Sequence, residues 1–181
     1  MGARELTQMT TRLATSQDIS VLTPLMQQAI TDLLSPVLTP EQVESSRMIM
    51  GIDTQLIADG TYFVIEIDGQ IAGCGGWSRR ATMYGGDHTP GREPALLNPA
   101  TDAARVRAMY TSPAFTRRGV GRAILDAAEA AARAEGFRHV ELAATMGGLP
   151  LYRTCGYHDV EAFEDASGGV AVPLVRMRKA L

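Results

Sequence analysis

The stretch MYTSPAFTRRGVGR, residues 109–122, decides the fold, because a strand passes there through a basic turn directly into an amphipathic helix. Pro113 ends the strand, and the helix is predicted to run from Gly119 or Val120 to Glu135. Its polar and apolar residues fall on opposite faces, which is typical of a helix that packs on a sheet. The stretch therefore predicts a strand and a helix that pack in adjacent layers.

The turn itself has the physical chemistry of an anion site. The first N–H groups of a helix lack intrahelical partners and lie at the positive end of the helix dipole. Gly119 and Gly121 allow a diphosphate to approach the backbone, and Arg117, Arg118 and Arg122 add positive charge. The glycines equally fit close packing of helix on strand, so both interpretations stay open here. No G-K-[ST] follows and no third glycine completes a dinucleotide fingerprint, which disfavours nucleoside triphosphates and NAD.

Composition excludes several classes of protein. The 181 residues carry 17 Lys and Arg against 20 Asp and Glu, a formal charge of -3, so no general field draws the chain to nucleic acid or anionic lipid. No apolar run approaches the roughly 20 residues of a membrane span, and the first residues lack a signal-peptide core, so a cytoplasmic location is expected. Cys74 and Cys155 lie far apart without ligand spacing, which predicts structural thiols and no metal site.

The strands and helices on either side of residues 109–122 are predicted from turn, capping and alternation signals. Asp68-Gly69 is a two-residue hairpin signal between two strands, and Thr39-Pro40 starts a helix. Strands are predicted at 11–14, 61–67, 70–77, 104–111, 139–145, 157–163 and 170–177, and helices at 16–34, 39–50, 119–135 and 149–155. A long loop, 79–103, separates the third and fourth strands. The order predicts one α+β domain over residues 1–181, with helices packed on a mixed sheet.

Two motifs resemble those of the GNAT superfamily of N-acetyltransferases. TRRGVG, residues 116–121, is similar to its acyl-CoA-binding pattern R/Q-x-x-G-x-G/A, and LYRTCGY, residues 151–157, is similar to its L-Y-x-x-x-G-[FY]. The two motifs have the expected separation. Residues 12–15 and 172–179 also resemble the first and last strands of the family, so the resemblance covers nearly the whole chain.

The resemblance implies a fold and an activity. The fold is α+β, a mixed, mostly antiparallel sheet of six to seven strands with helices on both faces, splayed between strands 4 and 5. The activity is transfer of an acetyl group from acetyl-CoA to a primary amine of a small molecule or peptide, by direct attack in a ternary complex. The family adds a homodimer by analogy, while charge, hydropathy and cysteine spacing predict no nucleic-acid partner, no membrane and no metal.

The resemblance also assigns residues by motif position. Tyr152 takes the place of the general acid that protonates the leaving thiolate, a task that suits a phenol with a high pKa. The residues assigned to the pantetheine and thioester of acetyl-CoA are Met109, Tyr110, Thr111 and Thr145. The residues assigned to its diphosphate are Thr116, Arg117, Arg118, Gly119, Val120, Gly121 and Arg122.

The sequence departs from the family pattern at two positions. Thr116 stands where Arg or Gln is usual, with Arg117 next to it as a substitute. Arg105 stands where the fourth strand often carries a catalytic glutamate, so no general base is identified. Candidates are Glu141, Glu66 and Asp87-His88, each of which equally fits a solvated or ion-paired role; a water chain or an already neutral amine would also serve. The missing glutamate favours an alternative, a non-catalytic acyl-CoA-binding regulatory module.

The residues expected near the acceptor each have two possible roles. Arg105 and Arg107 alternate to the same side of the strand as Met109, where they bind a substrate carboxylate or pair with local acids. Trp77 is either core or a wall of the acceptor site. The loop 79–103 is expected to shape that site, because long loops usually bind or cover something.

Overall fold

The computed structural model describes residues 7–181, which form a seven-stranded sheet with helices on both faces. The strands are β1 (Met9–Leu13), β2 (Tyr62–Ile67), β3 (Gln70–Ser78), β4 (Ala104–Thr111), β5 (His139–Thr145), β6 (His158–Asp165) and β7 (Val172–Ala180). The α-helices are α1 (Ile19–Leu34), α2 (Pro40–Ser46), α3 (Thr54–Ala58), α4 (Val120–Ala134) and α5 (Leu149–Thr154). Single 3-10 turns precede α1, at Ser16–Asp18, and α4, at Pro113–Phe115.

The sheet has the predicted mixed topology. Its strand order is β1-β2-β3-β4-β5-β7-β6, and the neighbouring strands are antiparallel except for the parallel pair β4 and β5. The predicted α+β fold is therefore confirmed. The sequence prediction missed α3, a five-residue helix capped by the Asp53 carboxylate, because so short a helix shows no apolar period. It also extended the second helix to residue 50, whereas α2 ends at Ser46 and a turn follows.

The two faces of the sheet carry separate parts of the core. On one face α1 packs through Leu22, Met26 and Ile30 against strand residues that include Tyr62 and Val64. On the other face α4 packs through Ile124 and Leu125. Glycines in β3 let α4 come close: a Cβ at Gly73 would lie 2.5 Å from Val120 Cγ1, and one at Gly75 would lie 2.6 Å from Ile124 Cγ2. The helix that follows the basic turn is thus held tightly on the sheet.

The strands β4 and β5 splay apart after a short ladder. They pair only at Ala104 with Val140 and at Arg105 with Glu141, which confirms the predicted splay. Farther along, no described strand pairs with the edge of β4 that faces β5, so a run of backbone N–H and C=O groups remains open to a ligand. A cleft between the two strands results.

A bulge in β4 changes the direction of the side chains at this cleft. Ala108 has a φ of 52°, and the pairing with β3 shifts register opposite it. The Tyr62 hydroxyl donates to the Ala108 carbonyl at 2.7 Å and fixes the bulge. Because of the extra residue, Arg107 and Tyr110 both contact the segment 51–53, whereas Met109 packs beside Ile124 of α4. The expectation that Met109 shares a side with Arg107 is therefore wrong.

The loop 79–103 is fixed against the segment that joins α2 to α3. The Asp87 carboxylate accepts from the Thr54 backbone N–H and hydroxyl, both at 2.9 Å. The Thr89 hydroxyl donates to the Met48 carbonyl at 2.7 Å, and Arg80 forms an isolated bridge with Leu96 within the loop. These contacts place the middle of the loop beside the open end of the cleft. In the described part of the chain, none of the helices has the length and apolar character to cross a membrane.

Candidate active site

Two adjoining cavities fill the cleft between β4 and β5. The loop-side cavity is lined by residues that include Ile49, Met83, Tyr84, Val106, Leu142 and Leu174. The helix-side cavity is lined by residues that include Ile30, Leu33, Gly121, Gly147, Gly148 and Leu151. Both cavities share Met50, Met109, Tyr110, Thr145 and Tyr152. The shared residues mark the point where a ligand in one cavity would meet a ligand in the other.

Tyr152 stands at this junction. It lies on α5, just after β5, and its ring packs edge-on against Tyr157 at 5.9 Å between centroids. Its hydroxyl makes only a weak contact with Met109 Sδ, at 3.7 Å. Burial raises the pKa of Tyr152 to about 12, with the nearby Cys155 as a smaller cause, so the phenol is protonated at neutral pH. A proton donor with no strong partner therefore faces the junction.

The N-terminus of α4 lies at the mouth of the helix-side cavity. Gly119, the N-cap, has a φ of 83° and no side-chain cap, and Arg117 before it has a φ of 61°. This left-handed backbone turns the chain sharply into the helix and leaves its first N–H groups uncapped by side chains. The side chains of Arg117, Arg118 and Arg122 are exposed, and none forms an ion pair with a described carboxylate. Arg118 stacks over the Phe115 ring at 5.3 Å.

Gly121 lies where α4 approaches the Leu151 side chain of α5. A Cβ at Gly121 would lie 2.5 Å from Leu151 Cδ2, inside the wall of the helix-side cavity. Gly121 thus keeps this wall open while the helix begins. Val120, by contrast, has its side chain buried in the core, so its backbone alone is available to a ligand. The residues at the start of α4 therefore fit a bound diphosphate through backbone N–H groups and arginine side chains.

The remaining predicted contact residues lie along the cleft. Thr111 and Thr145 line the helix-side cavity from β4 and β5. The Tyr110 hydroxyl lines both cavities and accepts from the Gly51 N–H at 2.8 Å. Thr116 is exposed, with its hydroxyl 3.4 Å from the Pro113 carbonyl, and it lines neither cavity.

None of the candidate general bases lines either cavity. Glu141 is buried and paired with Arg105 at 3.1 Å and Arg178 at 2.8 Å. Glu66 pairs with Arg12 at 3.0 Å on the far side of the sheet, in the β1 and β2 pair. The Asp87 carboxylate is held by Thr54, and the His88 ring lies 2.6 Å from the Arg47 carbonyl. The side chains of all four candidates are therefore engaged by other residues and lie outside the lining of the two cavities.

Arg105 and Arg107 form ion pairs with acidic side chains of the protein, so they are not held ready for a substrate carboxylate. Arg107 is 3% exposed, and its Nη2 donates to Asp53 Oδ2 at 2.8 Å and to the Gly85 carbonyl at 2.6 Å. The same Asp53 carboxylate accepts from Arg92 at 2.7 Å. Trp77 is a core residue, packed edge-on against Phe137 at 6.0 Å between centroids.

The two cysteines have protonated thiols at neutral pH. Burial raises the pKa of Cys74 to about 12 and also raises that of Cys155. A thiol without thiolate character is a poor nucleophile, which fits the structural role predicted for both. Within residues 7–181, no three His, Cys, Asp or Glu side chains come together in a way that could hold a metal ion.

The fold and the site define a class. A sheet splayed beside an uncapped, basic helix N-terminus, with a phenol at the junction of two cavities, is the arrangement of a transferase that binds an acyl-CoA. The model of the acetyltransferase (GNAT) family matches residues 27–157, which is more than half of the chain. The chain therefore belongs to the acetyltransferase (GNAT) family, whose members are acetyl-CoA-dependent N-acetyltransferases. No curated protein is significantly similar to the chain in sequence.

Solved structures of N-acetyltransferases share the fold at low sequence identity. A GCN5-related N-acetyltransferase from Rhodopseudomonas palustris superposes with a TM-score of 0.72 at 18% identity, over 99% of this chain and 100% of that chain. The PaiA N-acetyltransferase of Thermoplasma acidophilum, in complex with coenzyme A, gives 0.64 at 12%, over 96% and 99%. The structure of yncA from Salmonella typhimurium with its cofactor acetyl-CoA gives 0.63 at 16%, over 96% and 94%.

Sequence reasoning missed most of the cavity walls. Met50, between α2 and α3, lines both cavities, and Leu142 and Leu174 line the loop-side cavity from β5 and β7. These are apolar residues in ordinary strand or turn patterns, and no local signal separates them from core. Residues Met83 to Gly85 of the long loop line the loop-side cavity, and the role of the loop in acceptor binding stays a prediction.

Proposed function

We propose that the protein transfers an acetyl group from acetyl-CoA to a primary amine of a small molecule or peptide, by direct attack in a ternary complex. The observation that carries the proposal is the pair of cavities that meet at Tyr152. Acetyl-CoA would occupy the helix-side cavity, because the first turn of α4 borders it, and the acceptor would enter through the loop-side cavity. The thioester would then lie beside Met109, Tyr110 and Thr145.

Backbone N–H groups and arginine side chains would provide the main contacts to acetyl-CoA. The diphosphate would accept from the N–H groups at the start of α4 and pair with the exposed Arg117, Arg118 and Arg122. The pantetheine would pair with the open edge of β4 in the manner of an added strand, and Thr145 offers a hydroxyl across the cleft. Thr116 contributes through its backbone, since its side chain faces solvent.

The chemical step needs one proton donor and one proton acceptor. The amine nitrogen forms a C–N bond with the acetyl carbonyl carbon, and the C–S bond breaks. Tyr152 gives its proton to the leaving sulfur and regains one from solvent, while the amine releases a proton to water. Because none of the candidate carboxylates lines the cavities, the amine enters in its neutral form or loses its proton through a chain of water molecules.

A second candidate is the non-catalytic acyl-CoA-binding regulatory module. The absence of a carboxylate base among the described cavity residues favours it, and the position of Tyr152 disfavours it. The two candidates make the same prediction for acetyl-CoA binding and opposite predictions for turnover. An assay of both quantities separates them.

The experiment is thermal unfolding with acetyl-CoA, followed by release of free thiol in the presence of amines. Acetyl-CoA at 100 times its Kd should stabilise the fold by about 2.7 kcal/mol. Replacing Arg117, Arg118 and Arg122 together by alanine should weaken binding at least about tenfold, or 1.4 kcal/mol. The control replaces two other exposed arginines, Arg133 in the last turn of α4 and Arg138 just before β5, and should bind normally.

Two results would contradict the proposal. A folded wild-type protein that acetyl-CoA does not stabilise would have no donor site of the kind described. A triple variant that binds as tightly as the control would mean that the basic turn is not where the phosphates bind.

A further inference from the structure

Apolar residues form the majority of those that line the loop-side cavity. Its aliphatic and thioether side chains come from five separate parts of the fold: the turn after α2, the long loop, β4, β5 and β7. They are Ile49, Met50, Met83, Val106, Leu142 and Leu174. A ligand that buries hydrocarbon against this wall gains about 25 cal/mol for each Å² removed from water. The wall therefore favours an acceptor with an apolar body.

The formal charge on the wall is already neutralised. Arg107 is the charged residue among those that line the cavity. Its guanidinium is engaged by Asp53 at 2.8 Å, by the Gly85 carbonyl at 2.6 Å and by the Thr82 carbonyl at 3.3 Å. A substrate carboxylate would compete with the buried Asp53 for this guanidinium.

The wall also lacks a partner for a second cation. None of the described residues lining the loop-side cavity is Asp, Glu or His. The neighbouring carboxylate of Asp165 lines a different cavity, behind Tyr84, and it accepts from the Tyr84 hydroxyl at 2.6 Å and from the Ser167 N–H at 2.8 Å. The other polar side chains that line the loop-side cavity belong to Tyr84, Tyr110, Thr145 and Tyr152, all uncharged, and open backbone groups of β4 add to them.

We propose that the acceptor is a monoamine with an apolar body and no second charged group. This inference rests on the proposed function and adds the substrate class to it. A second ammonium in this cavity would find no Asp, Glu or His among the described lining residues, and a carboxylate would compete with Asp53 for Arg107. Long-chain or aromatic primary amines fit the cavity, whereas diamines and free amino acids do not.

Two matched pairs of acceptors test the proposal with the wild-type protein and saturating acetyl-CoA. Pentylamine and 1,5-diaminopentane differ by one ammonium group, and 2-phenylethylamine and phenylalanine differ by one carboxylate. Thiol release should give a kcat/KM at least about tenfold higher for the monoamine of each pair. A preference for the diamine or for the amino acid would overturn the proposal.

A variant of the wall provides the second test. Met83→Glu places a carboxylate in the half-buried loop wall and should shift the ratio of kcat/KM in favour of 1,5-diaminopentane by at least about tenfold. Met48→Glu is the matched control, since Met48 is 36% exposed and lines neither cavity, and it should keep the wild-type ratio. An unchanged ratio in folded Met83→Glu protein would refute the assignment of this cavity to the acceptor.

The outcomes also separate this proposal from the proposed function. Turnover of none of the four amines, in a protein that acetyl-CoA stabilises against unfolding, would contradict the monoamine class and leave the donor site intact. Failure of acetyl-CoA to stabilise the folded protein would remove the proposed function itself.

Discussion

Replacement of Tyr152 by phenylalanine should remove the proton donor and little else. The hydroxyl has one weak contact in the described structure, with Met109 Sδ at 3.7 Å, and the ring keeps its packing against Tyr157 in the variant. The loss of folding stability should therefore stay below about 1 kcal/mol. The loss of general acid catalysis should lower the rate of the chemical step by about 10²–10⁴-fold, or roughly 3–5 kcal/mol.

The assay must separate chemistry from binding. Single-turnover thiol release with acetyl-CoA and an excess of acceptor reports the chemical step, and thermal shift titration reports the affinity for CoA. Tyr157→Phe is the matched control: its hydroxyl donates to the buried Glu129 at 2.9 Å and lines neither cavity, so it should lose stability and keep the rate.

The pH dependence of the rate provides a second test of Tyr152 as the general acid, because a residue that only packs would not affect that dependence. With the pKa raised to about 12, the phenol stays protonated as the acceptor deprotonates, so the wild-type rate should climb through the pKa of the amine before falling near pH 12. A phenylalanine variant with the full rate would refute the assignment of the acid. Equal losses of rate and CoA affinity would show that Tyr152 is a packing residue.

Three further predictions concern the fold around the site. Asp53→Ala should lower the free energy of unfolding by about 3–5 kcal/mol, measured in urea, because it strands the charge of Arg107; a loss under about 1 kcal/mol would contradict this. Gly75→Ala should lower stability by about 1–3 kcal/mol, since its Cβ would lie 2.6 Å from Ile124 Cγ2 and 3.2 Å from the Met109 Cα; unchanged thermal unfolding would show that α4 is free to move. Arg12 holds the pKa of Asp18 at about 2, below its usual 3.8, so this carboxylate stabilises the fold above pH 3.8 and loses that effect as pH falls to about 2. Asp18→Asn should therefore cost about 2 kcal/mol at pH 7 and almost nothing near pH 2, and a pH-independent difference would refute the ion pair as its source.

The fold was predicted correctly, and the donor side of the cleft received a residue-by-residue prediction, because the signals for both are local. The basic turn, its glycines and the helix that follows lie within one continuous stretch, and the two motifs carry the family resemblance. The splay of β4 from β5 came from that resemblance, and the structure confirms it through a ladder of only two residue pairs. The roles of Tyr152 and of the residues around the basic turn stay predictions that the experiments above test.

The acceptor side could not be predicted, because its determinants are not local. Alternation along β4 placed Met109 with Arg107, but the bulge at Ala108 reverses the side chains beyond it. The bulge depends on the Tyr62 hydroxyl, which lies 46 residues away in the chain. Likewise, Arg107 and Asp53 form an ion pair although they lie 54 residues apart in the chain. The sequence around neither residue predicts this pair.

The bulge at Ala108 connects the two halves of the site. Before it, β4 directs Arg107 into the segment and loop that close the acceptor side. After it, the same strand offers an unpaired edge to the donor and turns Met109 toward Tyr152 and α4. A regular strand would place Met109 on the same face as Arg107, away from α4. The irregular backbone therefore puts Met109 beside the Tyr152 hydroxyl and α4, while Arg107 stays paired with Asp53 on the other face of the strand.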